Sequence, residues 1–208
     1  MNIKKITDAL LSMDQVSVRK LIFDNVKKND PFEIIENMVV PAMEQIGVGW
    51  EKGDVALSQV YMSGRIVEDI IDEILPPSDP KRKNQPKMAI TVLNDFHLLG
   101  KRIIYSLLRA SGYSLLDFGH VTVDELVEKV VAENIKIILI STLMLSSALQ
   151  VKNFKKKLSA RGYHPKIMVG GAPFRFDEKL AEEVGADCTA VNIKEMLEVI
   201  NNLVGVAT

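Results

Sequence analysis

Met88-Ala89-Ile90-Thr91-Val92-Leu93-Asn94-Asp95-Phe96-His97-Leu98-Leu99-Gly100 runs from apolar and β-branched residues through a short polar loop into a helical pattern. A strand that passes at once into a loop and a helix is the opening of a βα unit. The same order returns downstream, with strand character at Ser114–Phe118, Ile135–Ser141, Lys166–Val169 and Cys188–Val191. Helices are expected to begin near Gly100, Thr122, Ser147, Asp177 and Ile193, and Gly112 and Gly162 stand where C-terminal caps are wanted. Five such units predict an α/β domain with a Rossmann or flavodoxin-like, doubly wound, five-stranded parallel sheet covered on both faces. Open sheets of this kind bind ligands beyond the carboxyl ends of their strands, where the strand order reverses. The loops after the first, third and fourth strands are therefore where function is expected.

Upstream lies Pro76-Pro77-Ser78-Asp79-Pro80-Lys81-Arg82-Lys83-Asn84-Gln85-Pro86, where four prolines and a cluster of charges stiffen the chain and prevent packing. Before it the period changes to that of helices. Val18, Leu21, Ile22 and Val26 form one apolar stripe, and Val60, Val67, Ile70, Ile71 and Ile74 another. Asp30-Pro31 supplies an N-cap and first-turn proline, Pro41 should kink or split the helix that follows, and Gly53-Asp54 begins the next connection. The expectation is an all-α bundle of four or five helices at 1–76, a linker at 77–87 and an α/β domain at 88–208.

Composition narrows the function. The 26 basic and 27 acidic side chains nearly cancel, so there is no broad positive field for nucleic acid or an anionic membrane. The single cysteine, Cys188, has no partner for an internal disulfide, and no apolar run reaches the length of a bilayer span. A cytoplasmic protein of two modest domains is the simplest expectation.

The first functional loop places Asp95 two residues before His97, with Gly100 three residues after it. An imidazole that ligates a metal through one nitrogen needs its other N–H held by an acceptor, and a nearby carboxylate serves that purpose. On local grounds alone, Asp95 as a helix cap and His97 as an ordinary loop residue is the better explanation of the pair, and more than one loop is needed. The third strand ends Ser141-Thr142-Leu143-Met144-Leu145-Ser146-Ser147, and the fourth ends Val169-Gly170-Gly171-Ala172-Pro173. Ser147 also suits a helix N-cap, and Gly170-Gly171 an ordinary tight turn.

Together these elements resemble the cobalamin-binding signature Asp-x-His-x-x-Gly, Ser-x-Leu, Gly-Gly, with 40 residues between Gly100 and Ser141 and 26 between Leu143 and Gly170. Pro41-Ala42-Met43-Glu44-Gln45-Ile46-Gly47 and Trp50-Glu51-Lys52-Gly53 resemble the helical cap upstream of that domain in corrinoid methyl carriers. The resemblance thus covers most of the chain. It implies a cobalamin whose own base has left cobalt for a pocket in the α/β domain, with His97 as the lower metal ligand. It further implies that Asp95, Phe96, Gly100, Ser141, Leu143, Ser147, Gly170 and Gly171 contact or support the cofactor. Ser141 would bond the buried base, Leu143 would wall it, and a relay would run His97–Asp95–Ser147. Leu98 stands where the family often has an acid, and Ala56-Leu57-Ser58-Gln59 departs from the better-known cap segment. Leu57, Tyr61 and Met62 are candidates to cover the methyl face, although for any one of them a core role is the commoner reading of such an apolar stripe. His120 is expected on the same rim without touching cobalt, while His164 and Cys188 have no chemical context.

The function implied is a methyl-carrying corrinoid protein that accepts a methyl group from a substrate-specific methyltransferase and passes it to a second methyltransferase. A reductive activase is a further candidate partner. No residue of this chain is expected to be catalytic by itself, and the helical half is expected to swing on the linker to expose cobalt. The alternative is a cobalamin-dependent sensor, which would need an output module. A mutase subunit is disfavoured by the helical half, and a receiver-like domain by the lack of a carboxylate ending the third strand. Methylamine, methanol, a methyl aryl ether or a methylated glycine derivative all remain open as methyl source.

Overall fold

The computed structural model describes residues 3–74, 85–190 and 192–207. The chain forms two compact units, and the division between them falls after Pro76. Most of the proline-rich segment lies outside the described residues.

The first unit contains α1 (Ile3–Leu11), α2 (Gln15–Val26), α3 (Pro31–Ile34), α4 (Val40–Glu51) and α5 (Leu57–Ile74). Asp14 and Asp30 open α2 and α3 by accepting the N–H groups of Ser17 at 3.0 Å and Phe32 at 2.8 Å, and Pro31 fills the first turn. Between α3 and α4 the helix widens into a π turn over Ile35–Val39, where the Val40 N–H reaches back to the Ile35 carbonyl. Pro41 has no N–H to continue the regular ladder, and the wider turn accommodates its ring without ending the helix. Val18, Ile22, Ile46, Val67, Ile70 and Ile71 are buried, so the apolar stripes of α2 and α5 close one core. Leu57, Tyr61 and Met62 are not part of it: they are 66%, 64% and 38% exposed, at the opposite end of α5 from its buried stripe.

The second unit holds β1 (Met88–Leu93), β2 (Leu116–Val121), β3 (Ile137–Ser141), β4 (Lys166–Gly170) and β5 (Cys188–Thr189) in the order β2-β1-β3-β4-β5, with every pair parallel. This is the flavodoxin-like arrangement, and its order reverses between β1 and β3. The connecting helices are α6 (Leu99–Ala110), α7 (Val123–Ala132), α8 (Leu145–Ala160), α9 (Ala172–Phe176), α10 (Leu180–Glu183) and α11 (Ile193–Ala207). Ile138, Ile140, Ile167 and Val169 pack with Val127, Val130, Val151 and Phe154 of α7 and α8 in one continuous core. Residues of the alternate parity, Ile90, Val92, Leu139 and Met168, are buried as well, as a sheet covered on both faces requires. Burial of each such side chain contributes roughly 1.5–3 kcal/mol.

Several boundaries differ from the sequence reading, among them β3, which starts at Ile137 and not Ile135, and α8, which starts at Leu145 and not Ser147. The second strand starts at Leu116 and runs to Val121, later than Ser114–Phe118, because a bulge near Gly119 carries the pairing with β1 onward. The single helix expected from Asp177 is two short ones. Pro173 starts α9 directly after Gly171, Asp177 is extended at φ −128°, and its carboxylate accepts the Lys179 N–H at the entry to α10. The fifth strand ends at Thr189, and the remainder of the expected Cys188–Val191 run includes residue 191, outside the described residues.

Candidate functional site

The crevice of a doubly wound sheet opens where order reverses, here between the loops that follow β1 and β3. Asn94 turns the first loop with φ +48°, its N–H donating to the Val121 carbonyl at 2.9 Å. Asp95 then points inward and is only 3% exposed. Its Oδ1 accepts the backbone N–H of His97 at 3.1 Å and contacts Nδ1 of the His97 ring. Its Oδ2 accepts the N–H groups of Leu143 at 2.8 Å and Met144 at 3.1 Å, from the turn leading into α8. A buried carboxylate thus joins the two loops. It also lies at the positive end of the α8 dipole, which favours negative charge.

Burial pushes the Asp95 carboxyl up, but the His97 ring and the N–H groups of Leu143, Met144 and His97 outweigh it and hold the group below the usual carboxylate range. An ionised carboxylate only accepts, so it selects the His97 tautomer with the proton on Nδ1. In the neutral ring Nε2 then presents a lone pair, on a side chain that is 55% exposed. Among the described residues no cluster of three metal-ligating side chains occurs, so one imidazole is what this loop offers a metal. That suits a metal whose remaining positions are filled by a macrocycle.

The rim around His97 is apolar and open. Phe96, Leu143, Met144 and Leu145 are 80%, 45%, 48% and 56% exposed and follow one another in the two loops. Exposed apolar surface of this extent marks a binding face. Beside it, Ser141 ends β3 in register with Gly170 of β4 and Val92 of β1. A Cβ on Gly170 would meet nothing within 4 Å, and one on Gly100 would come 3.3 Å from Ser141 Oγ. Gly170 therefore has open space beside it at the carboxyl end of the sheet, and Gly100 lets α6 approach Ser141 closely. Gly171 needs glycine for a different reason: its φ is +114°, and a Cβ there would fall 1.8 Å from the Thr142 carbonyl oxygen.

The expected relay needs correction at its third member. Ser147 is buried, but its hydroxyl donates to the Asn94 carbonyl at 3.0 Å and not to Asp95, whose Oδ2 is already filled by two backbone donors. Ser147 is not an N-cap either, since α8 begins at Leu145 after Met144, nor does Asp95 cap α6, which starts after Leu98 without a side-chain cap.

Sequence reasoning missed the part of Leu143 and Met144 played by backbone N–H groups, which carry no side-chain signal. It also missed the stack of Phe96 on His120, with centroids 4.2 Å apart and planes 15° from parallel. The pair of Lys101 and Asp117, at 2.6 Å to both carboxylate oxygens, was missed as well. Lys101 is 4% exposed, and its position one heptad before the buried Leu108 on α6 was a readable signal. His164 lines a shallow recess of about 220 Å³ with Lys155, Lys166 and Asp187. Cys188 is partly buried, and burial first, then the Asp187 charge, pushes its thiol up to about 11 against a smaller effect of Lys166.

Comparisons with known proteins identify the family. Two family models, each described as a B12 binding domain, match residues 87–199 and 3–75. The chain is 34% identical to monomethylamine corrinoid protein 1 of Methanosarcina mazei, over 96% of this chain and 95% of that one. It is 30% identical to dimethylamine corrinoid protein 2 of the same organism, over 93% and 92%. The structure of the Methanosarcina barkeri monomethylamine corrinoid protein superposes with a TM-score of 0.82 at 27% identity, covering 98% of this chain and all of that one. Nothing in these relatives supports the sensor alternative. The chain belongs to the cobalamin-binding corrinoid proteins, the methyl carriers of methyltransferase systems.

Proposed function

We propose that this chain holds cobalamin with its own base displaced, Nε2 of His97 serving as the lower ligand to cobalt, and carries a methyl group derived from a methylated amine. The observation that carries the reading is the buried Asp95 against Nδ1 of His97, which favours the proton on that nitrogen and leaves Nε2 of the neutral ring to bind a metal. Bound cobalamin supplies a metal that takes up a methyl group and gives it away.

The residues of the chain hold and orient. Asp95 fixes the imidazole, Ser147 and Asn94 brace the loop behind it, and Phe96, Leu143 and Met144 offer apolar surface to the corrin underside. Gly100, Ser141 and Gly170 border the slot proposed for the nucleotide tail, Ser141 bonding its base, Leu143 forming a wall and Gly171 keeping the slot's far turn in place. The methylated-amine source is inferred from relatives named as monomethylamine and dimethylamine corrinoid proteins. The partners are a substrate-specific methyltransferase, a second, accepting methyltransferase, and a reductive activase.

Loading the protein with cobalamin and recording the electron paramagnetic resonance of the cobalt(II) state, with histidine labelled by nitrogen-15, tests the ligand. A hyperfine pattern that changes with the label is expected; an unchanged pattern removes His97 from cobalt. For the function, the reduced, loaded protein is offered monomethylamine, dimethylamine or methanol with and without the cognate methyltransferase, and methyl uptake is followed by absorbance. Fast uptake without the methyltransferase would make the chain an enzyme in its own right.

A further inference from the structure

We infer that His120 is a positioning residue for the loop that carries His97, acting through the ring of Phe96; the inference rests on the assignment of His97 as cobalt ligand. Phe96 immediately precedes His97 and is 80% exposed, so burial does little to hold its ring. The stacked His120 imidazole, 4.2 Å away, carries that contact.

The placement of His120 is built into the sheet. Ile90 of β1 lies beside Asp117, yet Val92 lies beside His120, so β2 spends one residue more than β1 over the same span. Without the extra residue, position 119 would stand beside Val92 and position 120 would turn to the other face. The bulge is taken up near Gly119, whose φ of +68° favours glycine. Three contacts pin it: Gly119 N–H donates to Asp117 Oδ1 at 2.8 Å, Thr91 Oγ1 donates to the Gly119 carbonyl at 3.0 Å, and Lys101 Nζ donates to both Asp117 oxygens at 2.6 Å. Thr91 and Lys101 are 0% and 4% exposed, so their ends of these contacts are sheltered from water, while Asp117 and its bond to the Gly119 N–H lie at the surface. The network, anchored on the buried Thr91 and Lys101, ends in one outward result, the orientation of His120. The loop is then held from both sides, through Asp95 by the β3 turn and through Phe96 by β2.

The test compares His120→Ala with His120→Phe, which restores a stacking ring. In the cobalamin-free protein, nitrogen-15 relaxation of residues 95–98 reports loop order; in the loaded protein, the labelled-histidine hyperfine signal reports the fraction of cobalt held by His97. We expect His120→Ala to raise the open population of the loop and lower the held fraction by roughly two- to tenfold, the range of an aromatic pair. His120→Phe should return both to the parent values, with the thermal midpoint of all three proteins alike. A loop in His120→Ala as ordered as in the parent overturns the inference, as does a loss that His120→Phe fails to restore. If the parent itself lacks the histidine signal, the ligand assignment falls, and the relaxation of the cobalamin-free loop still decides the stack.

Discussion

Asp95→Asn separates the two jobs of the buried carboxylate. Asp95 accepts from four groups: the His97 ring, the His97 N–H, and the N–H groups of Leu143 and Met144. The asparagine will turn its oxygen toward Leu143 and Met144, because two backbone donors there would otherwise face an NH2. Those two bonds survive without their charge, and each loses about 1 kcal/mol, the gap between charged and neutral hydrogen bonds. The NH2 group then faces His97, the His97 N–H loses its acceptor, and relief from burying a charge offsets part of the loss. The net expectation is about 2 kcal/mol of stability lost in urea unfolding of the cobalamin-free protein. The larger effect is on the ring. A donor at Nδ1 forces the proton onto Nε2, the nitrogen needed by the metal, so cobalamin held with histidine on cobalt should weaken by about 10–100-fold. Nitrogen-15 NMR of His97 reads the tautomer directly, and an absorbance titration with cobalamin reads affinity. If the parent already carries its proton on Nε2, or if affinity changes less than about twofold while the tautomer flips, the argument from tautomer to ligand is wrong.

Three further outcomes follow from single contacts. Gly171→Ala should cost more than about 4 kcal/mol or prevent folding, since its Cβ would lie 1.8 Å from the Thr142 carbonyl oxygen, whereas Gly170→Ala, in open space, should change urea stability by less than about 1 kcal/mol and weaken cobalamin binding instead. Ser147→Ala removes one part-buried bond to the Asn94 carbonyl and should cost about 1 kcal/mol in urea unfolding while leaving the His97 tautomer, read by NMR, unchanged. Alkylation of Cys188 by iodoacetamide should rise with a midpoint near 11, where a free thiol would show about 8.5. Because the unfolded chain loses that proton first, stability should fall as pH climbs from about 8.5 toward 11, a slope that Cys188→Ala should reduce, leaving the part due to Tyr163, whose phenol burial also pushes up.

Local patterning was enough to read the architecture. Strand runs such as Ile137–Ser141, apolar because both faces are covered, cannot sit in water, and the stripes of α2 and α5 have no other period that buries them. The same holds for the residues whose chemistry is local: Asp95 and His97 are two apart, and their contact needs only one loop. What the sequence could not decide was every contact between segments distant in the chain. Asp95 finds its other acceptor sites filled from positions 143 and 144 by backbone N–H groups, which all residues but proline share and no side chain announces. That is why a relay to Ser147 was expected and a bond from Ser147 to the Asn94 carbonyl was found. The stack of Phe96 on His120 depends on a single extra residue in β2, and a shift of one in register moves a side chain to the other face of a sheet. Periodicity therefore determined which segments become strands and helices and which loops carry the chemistry. Register and the satisfaction of buried donors, which exist only once the strands are paired, decided which atoms in those loops meet.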